Sequence, residues 1–283
     1  MELEKVGVKA FAAMGGGAIL AFLIPVGIAV FWILKKKEKL TTVLAGAATF
    51  LIFALFLEKP IQNALLFPTQ MGLTEHAFSR MINARPVLWA LAVGLFPGVF
   101  EETGRLVAYK TVLRRRKNRE TSVSHGIGHG GVEVMAILGL TYITDIAYGV
   151  MINTGAFQGL IDKTAELAPE QAEALAAAAG QLAFLSAADV GLAFLERALA
   201  FLFHVGASIL VFYACRDKGR GWLYPLAILL HTAMDFIAGL SMTELFAPSV
   251  PLLETLIGAF GIVTFCGAYF LLYRRDKRSG GDR

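Results

Sequence analysis

The chain has 283 residues, of which 56% are hydrophobic and 17% charged, with a mean hydropathy of +0.62. A soluble domain carries about 25% charged and 45–50% apolar residues, so this composition excludes an ordinary soluble domain and points to lipid. It also excludes a disordered chain, and two cysteines with no CxxC or Cys/His finger spacing exclude a disulfide framework or a zinc finger.

Crossing a bilayer takes roughly 20 apolar residues in helix. Residues 10–34 carry no charge, and Lys35-Lys36-Lys37-Glu38-Lys39 ends that run. A second uncharged run covers 40–57, and the segment 61–81 reads as a surface or re-entrant piece, a candidate gate for lateral entry. A third apolar segment runs from 87 to 113, interrupted by Glu101, Glu102 and Arg105 and followed by a basic cluster that ends at Arg119. A fourth spans 124–153 with His125, His129, Glu133 and Asp145 inside it. The loop 154–189 carries Pro169 and nearby acids, which start a short helix. Three more spans follow at 190–215, 221–240 and 252–273. Cys215 and Cys266 fall near span ends and read as packing residues. The fold expected is all-α: one polytopic membrane helix bundle over 1–283, with about seven transmembrane helices.

Lys and Arg concentrate on the cytoplasmic side of a membrane protein. The stretches 35–39, 110–119 and 216–220 and the tail from Arg274 hold 4, 6, 3 and 5 of them, 18 of the 26 in the chain. The expected topology therefore has the N-terminus outside and the C-terminus cytoplasmic, with 154–189 an extracytoplasmic loop. This asymmetry accounts for the isoelectric point near 9.1 without nucleic acid as a partner.

Charged groups inside a bilayer cost several kcal/mol and are functional by default. Glu101 and Arg105 are four residues apart on one helix face, as are His231 and Asp235, and His125, His129 and Glu133 form one stripe. Counted from the basic anchors, Glu101 lies 13 residues from Arg114, Glu133 14 from Arg119, His204 12 from Arg216 and His231 11 from Arg220. At about 1.5 Å per residue these groups, with His129, share one level some 15–21 Å from the anchors. Independent packing pairs would scatter in depth. Arg197 sits at a different level and reads as the partner of Asp145 or Glu196 in a packing ion pair. The glycines of Gly126-Ile-Gly128-His129-Gly130-Gly131 mark a close helix crossing or local unwinding.

Carboxylates and imidazoles around a small cavity can activate water. They are also zinc ligands, so Zn²⁺ is the candidate cofactor, with His129, Glu133, His204 and His231 as candidate ligands. The spacing is not HExxH, since Ile127-Gly128 separate His125 from His129. Such chains of Glu and His also build proton relays, which leaves a proton-coupled transporter or channel as the alternative, and a non-catalytic membrane protein of the same fold as a third reading.

Glu101-Glu102-Thr103-Gly104-Arg105, Gly128-His129-Gly130-Gly131-Val132-Glu133 and His231-Thr-Ala-Met-Asp235 resemble the YhfC-like family of intramembrane metalloproteases, itself similar to the CAAX-protease and bacteriocin-processing superfamily. The resemblance covers about 85–240, the expected catalytic core. It implies peptide-bond hydrolysis in a prokaryotic cell membrane, with membrane lipid around the protein and a peptide or membrane protein as substrate. It assigns Glu101 or Glu102, with His129, to deprotonating a water, and His231 with Asp235 to stabilising the oxyanion or holding a metal. Arg105 completes the first motif, Phe100 stands where that motif has its other acid, and His125 stands where the second motif has an aromatic. His204 has no counterpart in the short pattern and joins the catalytic set by depth.

Overall fold

A computed structural model describes residues 4–276, with the side chains of residues 167 and 170 left out. Lys277, Arg278 and Arg283 of the basic tail lie outside it. Among the described residues the structure is helical throughout and has seven helices long and apolar enough to cross a membrane. Ten helices carry the description: α1 Val8–Lys36, α2 Leu40–Leu66, α3 Ala77–Asn83, α4 Pro86–Lys110, α5 Glu120–Thr154, α6 Phe157–Leu167, α7 Pro169–Leu182, α8 Ala187–Arg216, α9 Leu223–Ser241 and α10 Val250–Tyr273. Large apolar side chains such as Leu23, Phe56, Leu229 and Val263 face outward, the arrangement lipid tails favour and water opposes. The chain is an integral membrane protein.

Two compact units divide the chain. One consists of residues 1–25 and 134–195. Its core gathers Met14, Ala18 and Ala21 of α1 with Leu138, Tyr142 and Ile152 of α5, Phe157 of α6 and Ala179 of α7. The helix expected at Pro169 is present. A second helix, α6, precedes it, because Phe157, Leu160, Ile161 and Thr164 fall on one face by helical spacing and give that segment something to bury.

The other unit consists of residues 26–133 and 196–283 and holds every ionisable residue named above within the spans except Asp145. At one of its ends the four basic stretches meet. Arg116 donates to Thr41 Oγ1 at 3.0 Å, Arg216 to the Lys117 carbonyl at 2.9 Å, and Arg119 to the Asp276 carbonyl at 2.7 Å. Glu38 accepts from Asn118 in the same region. The common level from which depths are counted is thus a physical feature of this unit.

The second span does not stop at residue 57. It continues to Leu66 through a π-helical stretch, Phe50–Glu58, in which Lys59 N–H donates to the Ala54 carbonyl five residues back. Pro60 explains the wide turn. It has no N–H for the Phe56 carbonyl and its ring crowds that group, so a five-residue pattern relieves a clash that a regular α-helix would keep. Beyond Leu66 a short 3-10 turn, Pro68–Met71, and the capped α3 complete the segment that the sequence left as surface or re-entrant.

The glycine-rich stretch is a double crossing. A Cβ on Gly128 would lie 1.9 Å from the Val43 carbonyl oxygen of α2, and one on Gly126 would lie 2.6 Å from Val205 Cα of α8. Gly46 of α2 is pressed equally hard against the His125 carbonyl, at 2.0 Å. Backbone meets backbone on both sides of α5, and His129 is delivered between them. Gly128→Ala is expected to destabilise the protein by roughly 1–3 kcal/mol, because backbone cannot yield as a side chain does. Thermal unfolding in detergent should show this as a lowered Tm, with Gly16→Ala, which meets nothing within 4 Å, as the unchanged control.

Candidate metal and proton-transfer centre

Three helices supply the first group. Glu101 from α4, His129 from α5 and His204 from α8 each offer one ligand atom, and these atoms all lie within 4.8 Å of one another. All three side chains are buried. His129 Nε2 stands 2.9 Å from Glu101 Oε2, and since a carboxylate only accepts, that nitrogen carries the proton and donates. His129 Nδ1 then keeps its lone pair and has no hydrogen-bond partner. The rings of His129 and His204 lie 4.9 Å apart.

His204 is held at both nitrogens. Arg105 Nη2 donates to Nδ1 at 2.6 Å, and since a guanidinium only donates, Nδ1 is the acceptor. The proton therefore sits on Nε2, which faces Glu133 Oε2 at 2.5 Å. Glu133 is fixed in turn by Arg197 Nη1, 3.0 Å from its other oxygen, and Arg197 also pairs with Glu196. The packing partners of Arg197 within its unit are thus Glu196, as expected, together with Glu133.

Glu102 organises the second group. Its Oε1 accepts from Arg105 Nη1 at 2.6 Å and from His231 Nδ1 at 2.9 Å, while Oε2 is buried and unpartnered. On the far side of His231, Nε2 stands 3.4 Å from Asp235 Oδ2, so each nitrogen of that ring faces a carboxylate. Helix α9 can bring His231 this close because Gly94 and Gly98 of α4 leave no side chain in the way. A Cβ on Gly98 would meet Thr232 Oγ1 at 2.5 Å.

The expected residues are therefore all near one another but sorted into two sets joined by Arg105. The set with metal-ligand spacing is Glu101, His129 and His204. Of the candidate ligands read from depth, His129 and His204 belong to it, whereas Glu133 braces His204 from behind and His231 pairs with Glu102 and Asp235. His125 belongs to neither set. It stands 3.2 Å from both Thr49 Oγ1 and Ser208 Oγ and packs on the Tyr109 ring. Ser208 also accepts from Arg105 Nε at 3.3 Å, a role for which a lone serine on an apolar helix gives no sequence signal. Glu58, 1% exposed at the end of the π-helical stretch with its Oε1 3.4 Å from Lys59 Nζ, was hidden because Glu58-Lys59-Pro60 reads as the end of a span.

One carboxylate and two imidazoles are a donor set zinc accepts in catalytic sites, which leave a further position open. Glu101, His129 and His204 offer one carboxylate oxygen and two imidazole nitrogens close together in a buried place. These residues fit a divalent cation.

The fold and this centre define a class: polytopic helical membrane proteins with a buried carboxylate–histidine site. The sequence model of the YhfC intramembrane metalloprotease family matches residues 20–254, and the chain belongs to that family. It is 30% identical over 254 residues to the uncharacterized membrane protein YhfC of Bacillus subtilis (strain 168), covering 89% of this chain and 93% of that protein. No solved structure matches it.

Arg105 and Glu102 are both fully buried, and removing one partner leaves the other charge uncompensated. Arg105→Leu is expected to cost about 3–5 kcal/mol of stability. The double variant Arg105→Leu/Glu102→Leu should recover part of that loss, measured by denaturant titration in mixed micelles.

Proposed function

We propose that this protein is a peptidase that hydrolyses a peptide bond at the level of the membrane, using Glu101, His129 and His204 to hold a divalent cation, zinc by donor preference. A cation bound there supplies Lewis-acid polarisation of the scissile carbonyl and a more acidic water. The observation that carries the reading is this donor set together with a second buried acid, Glu102, next to Glu101 in the chain and with one oxygen unpartnered.

The chain's own residues divide the proton work. Glu102 Oε2 takes a proton from the attacking water as the water oxygen bonds to the carbonyl carbon. Oε1 stays anchored by Arg105 and His231, so the carboxylate is held in one orientation. When the C–N bond breaks, its electron pair stays on the amine nitrogen, which takes the proton that Glu102 Oε2 removed from the water, and the carboxylate is regenerated. His231 Nδ1 donates to Glu102 Oε1 at 2.9 Å throughout and keeps that carboxylate oriented, and Asp235 fixes the ring from the other side. The products are a carboxylic acid and an amine. Burial of the centre among α4, α5, α8 and α9 excludes bulk water from these steps.

The test is cleavage of a fluorogenic library of membrane-spanning peptides by the purified protein in lipid nanodiscs. Glu102→Gln is expected to lower the rate by about 10²–10⁴-fold, the range that a general acid–base group contributes. His129→Ala should abolish cleavage, as should chelation, with zinc restoring it only in the latter case. Cleavage that persists at the wild-type rate in folded Glu102→Gln and His129→Ala overturns the assignment.

A further inference from the structure

Resting on the metal reading above, we propose that Arg105 is a built-in competitor for the cation site: its guanidinium occupies the His204 lone pair that a metal needs, and loading requires that contact to break. His204 has one lone pair to give, on Nδ1, and Arg105 Nη2 holds it at 2.6 Å. The other nitrogen cannot substitute, because its proton is committed to Glu133 Oε2 at 2.5 Å and Glu133 is pinned by Arg197. The same Nη2 stands 3.8 Å from Glu101 Oε2, so one cationic group touches two of the three ligands.

Arg105 can release His204 without becoming an unpaired buried charge. Nη1 is held by Glu102 at 2.6 Å and Nε by Ser208 at 3.3 Å, so the guanidinium has partners other than His204. The guanidinium is planar and rigid, so withdrawing Nη2 tilts the whole group, loosening the longer 3.3 Å Ser208 contact while Nη1 stays on Glu102. The site therefore has two states, one with the guanidinium inserted and one with a divalent ion and the guanidinium drawn back toward Glu102. Charge repulsion between the two cations makes the states exclusive, since like charges at these separations in a buried site are strongly felt. Glu102 sits at the pivot, so loading also redistributes hydrogen bonds at the proton-accepting carboxylate. Metal occupancy and the poise of the base are thereby linked.

The measurement is titration of the metal-free protein in detergent with Co²⁺, followed by its ligand-field absorption bands, which report inner-sphere coordination without any substrate. Arg105→Gln keeps a polar side chain but removes the positive charge, and it is expected to bind Co²⁺ at least about tenfold more tightly than the wild type. His204→Ala should weaken binding in both backgrounds. Equal or weaker binding by Arg105→Gln overturns the competition while leaving the metal site standing, provided that His129→Ala still loses the bands. Absence of bands in every form, wild type and variants alike, overturns both readings. If Arg105→Gln does not fold, ¹⁵N-histidine spectra of the wild type decide. The competition requires His204 to carry its proton on Nε2 with Nδ1 accepting a hydrogen bond in the metal-free protein, and Zn²⁺ to shift that Nδ1 signal. A proton on Nδ1, or no shift when Zn²⁺ binds, rejects it.

Discussion

A guanidinium cannot be left unpaired in a hydrocarbon layer, and much of this centre follows from satisfying the one at Arg105. Its three nitrogens reach a carboxylate on its own helix, an imidazole on α8 and a serine on α8. Each of these partners is then constrained in its turn. Glu102 orients His231, His204 is locked into one tautomer, and Ser208 positions His125. Two chemically different sets of residues, one suited to a metal and one to proton transfer, are held together by a single planar cation. Hydrogen bonds in so buried a network are not readily exchanged for water, so the geometry of one set is felt by the other.

The backbone makes this possible by being bare where it matters. Gly126 and Gly128 let α5 touch α8 and α2 at main-chain distance, and Gly94 and Gly98 do the same between α4 and α9. Lipid gives little hydrophobic drive for helices to associate, so close packing and interhelical polar contacts have to supply it. In this unit both are concentrated around the same residues. The features that stabilise the bundle are therefore also those that set the distances between its acids and imidazoles.

Much of the fold was legible in the sequence because lipid writes a simple code: apolar length, then a basic stop. All seven spans fall where that code puts them, with the second one longer than expected. The depth count groups Glu101, His129, His204 and His231, which do lie close together, because a helix rises by a fixed amount per residue. Height is half of a coordinate, however. The sequence says nothing of the rotation of one helix against another, so it could not tell that Glu133 points to the back of His204 while Glu101 points to its front. Nor could it separate Glu101 from Glu102, adjacent in sequence but turned toward different partners. Glu58 escaped for another reason: an acid, a base and a proline in succession look like a loop, and only the wide turn reveals that the helix absorbs them.

That wide turn has a consequence for the register of α2. Each residue added to a helix turns everything after it by about 100°, so a local change of pitch works as a phase shifter between two halves of one rod. The first half is keyed to α5 through Gly46, and the second is keyed to α4 through Gln62, whose side chain donates to the Val93 carbonyl at 3.2 Å. The stretch between them lets both keys fit at once. A deletion of one residue within it, leaving every contact residue in place, would keep the composition and apolar length of the span and yet put its two ends out of step.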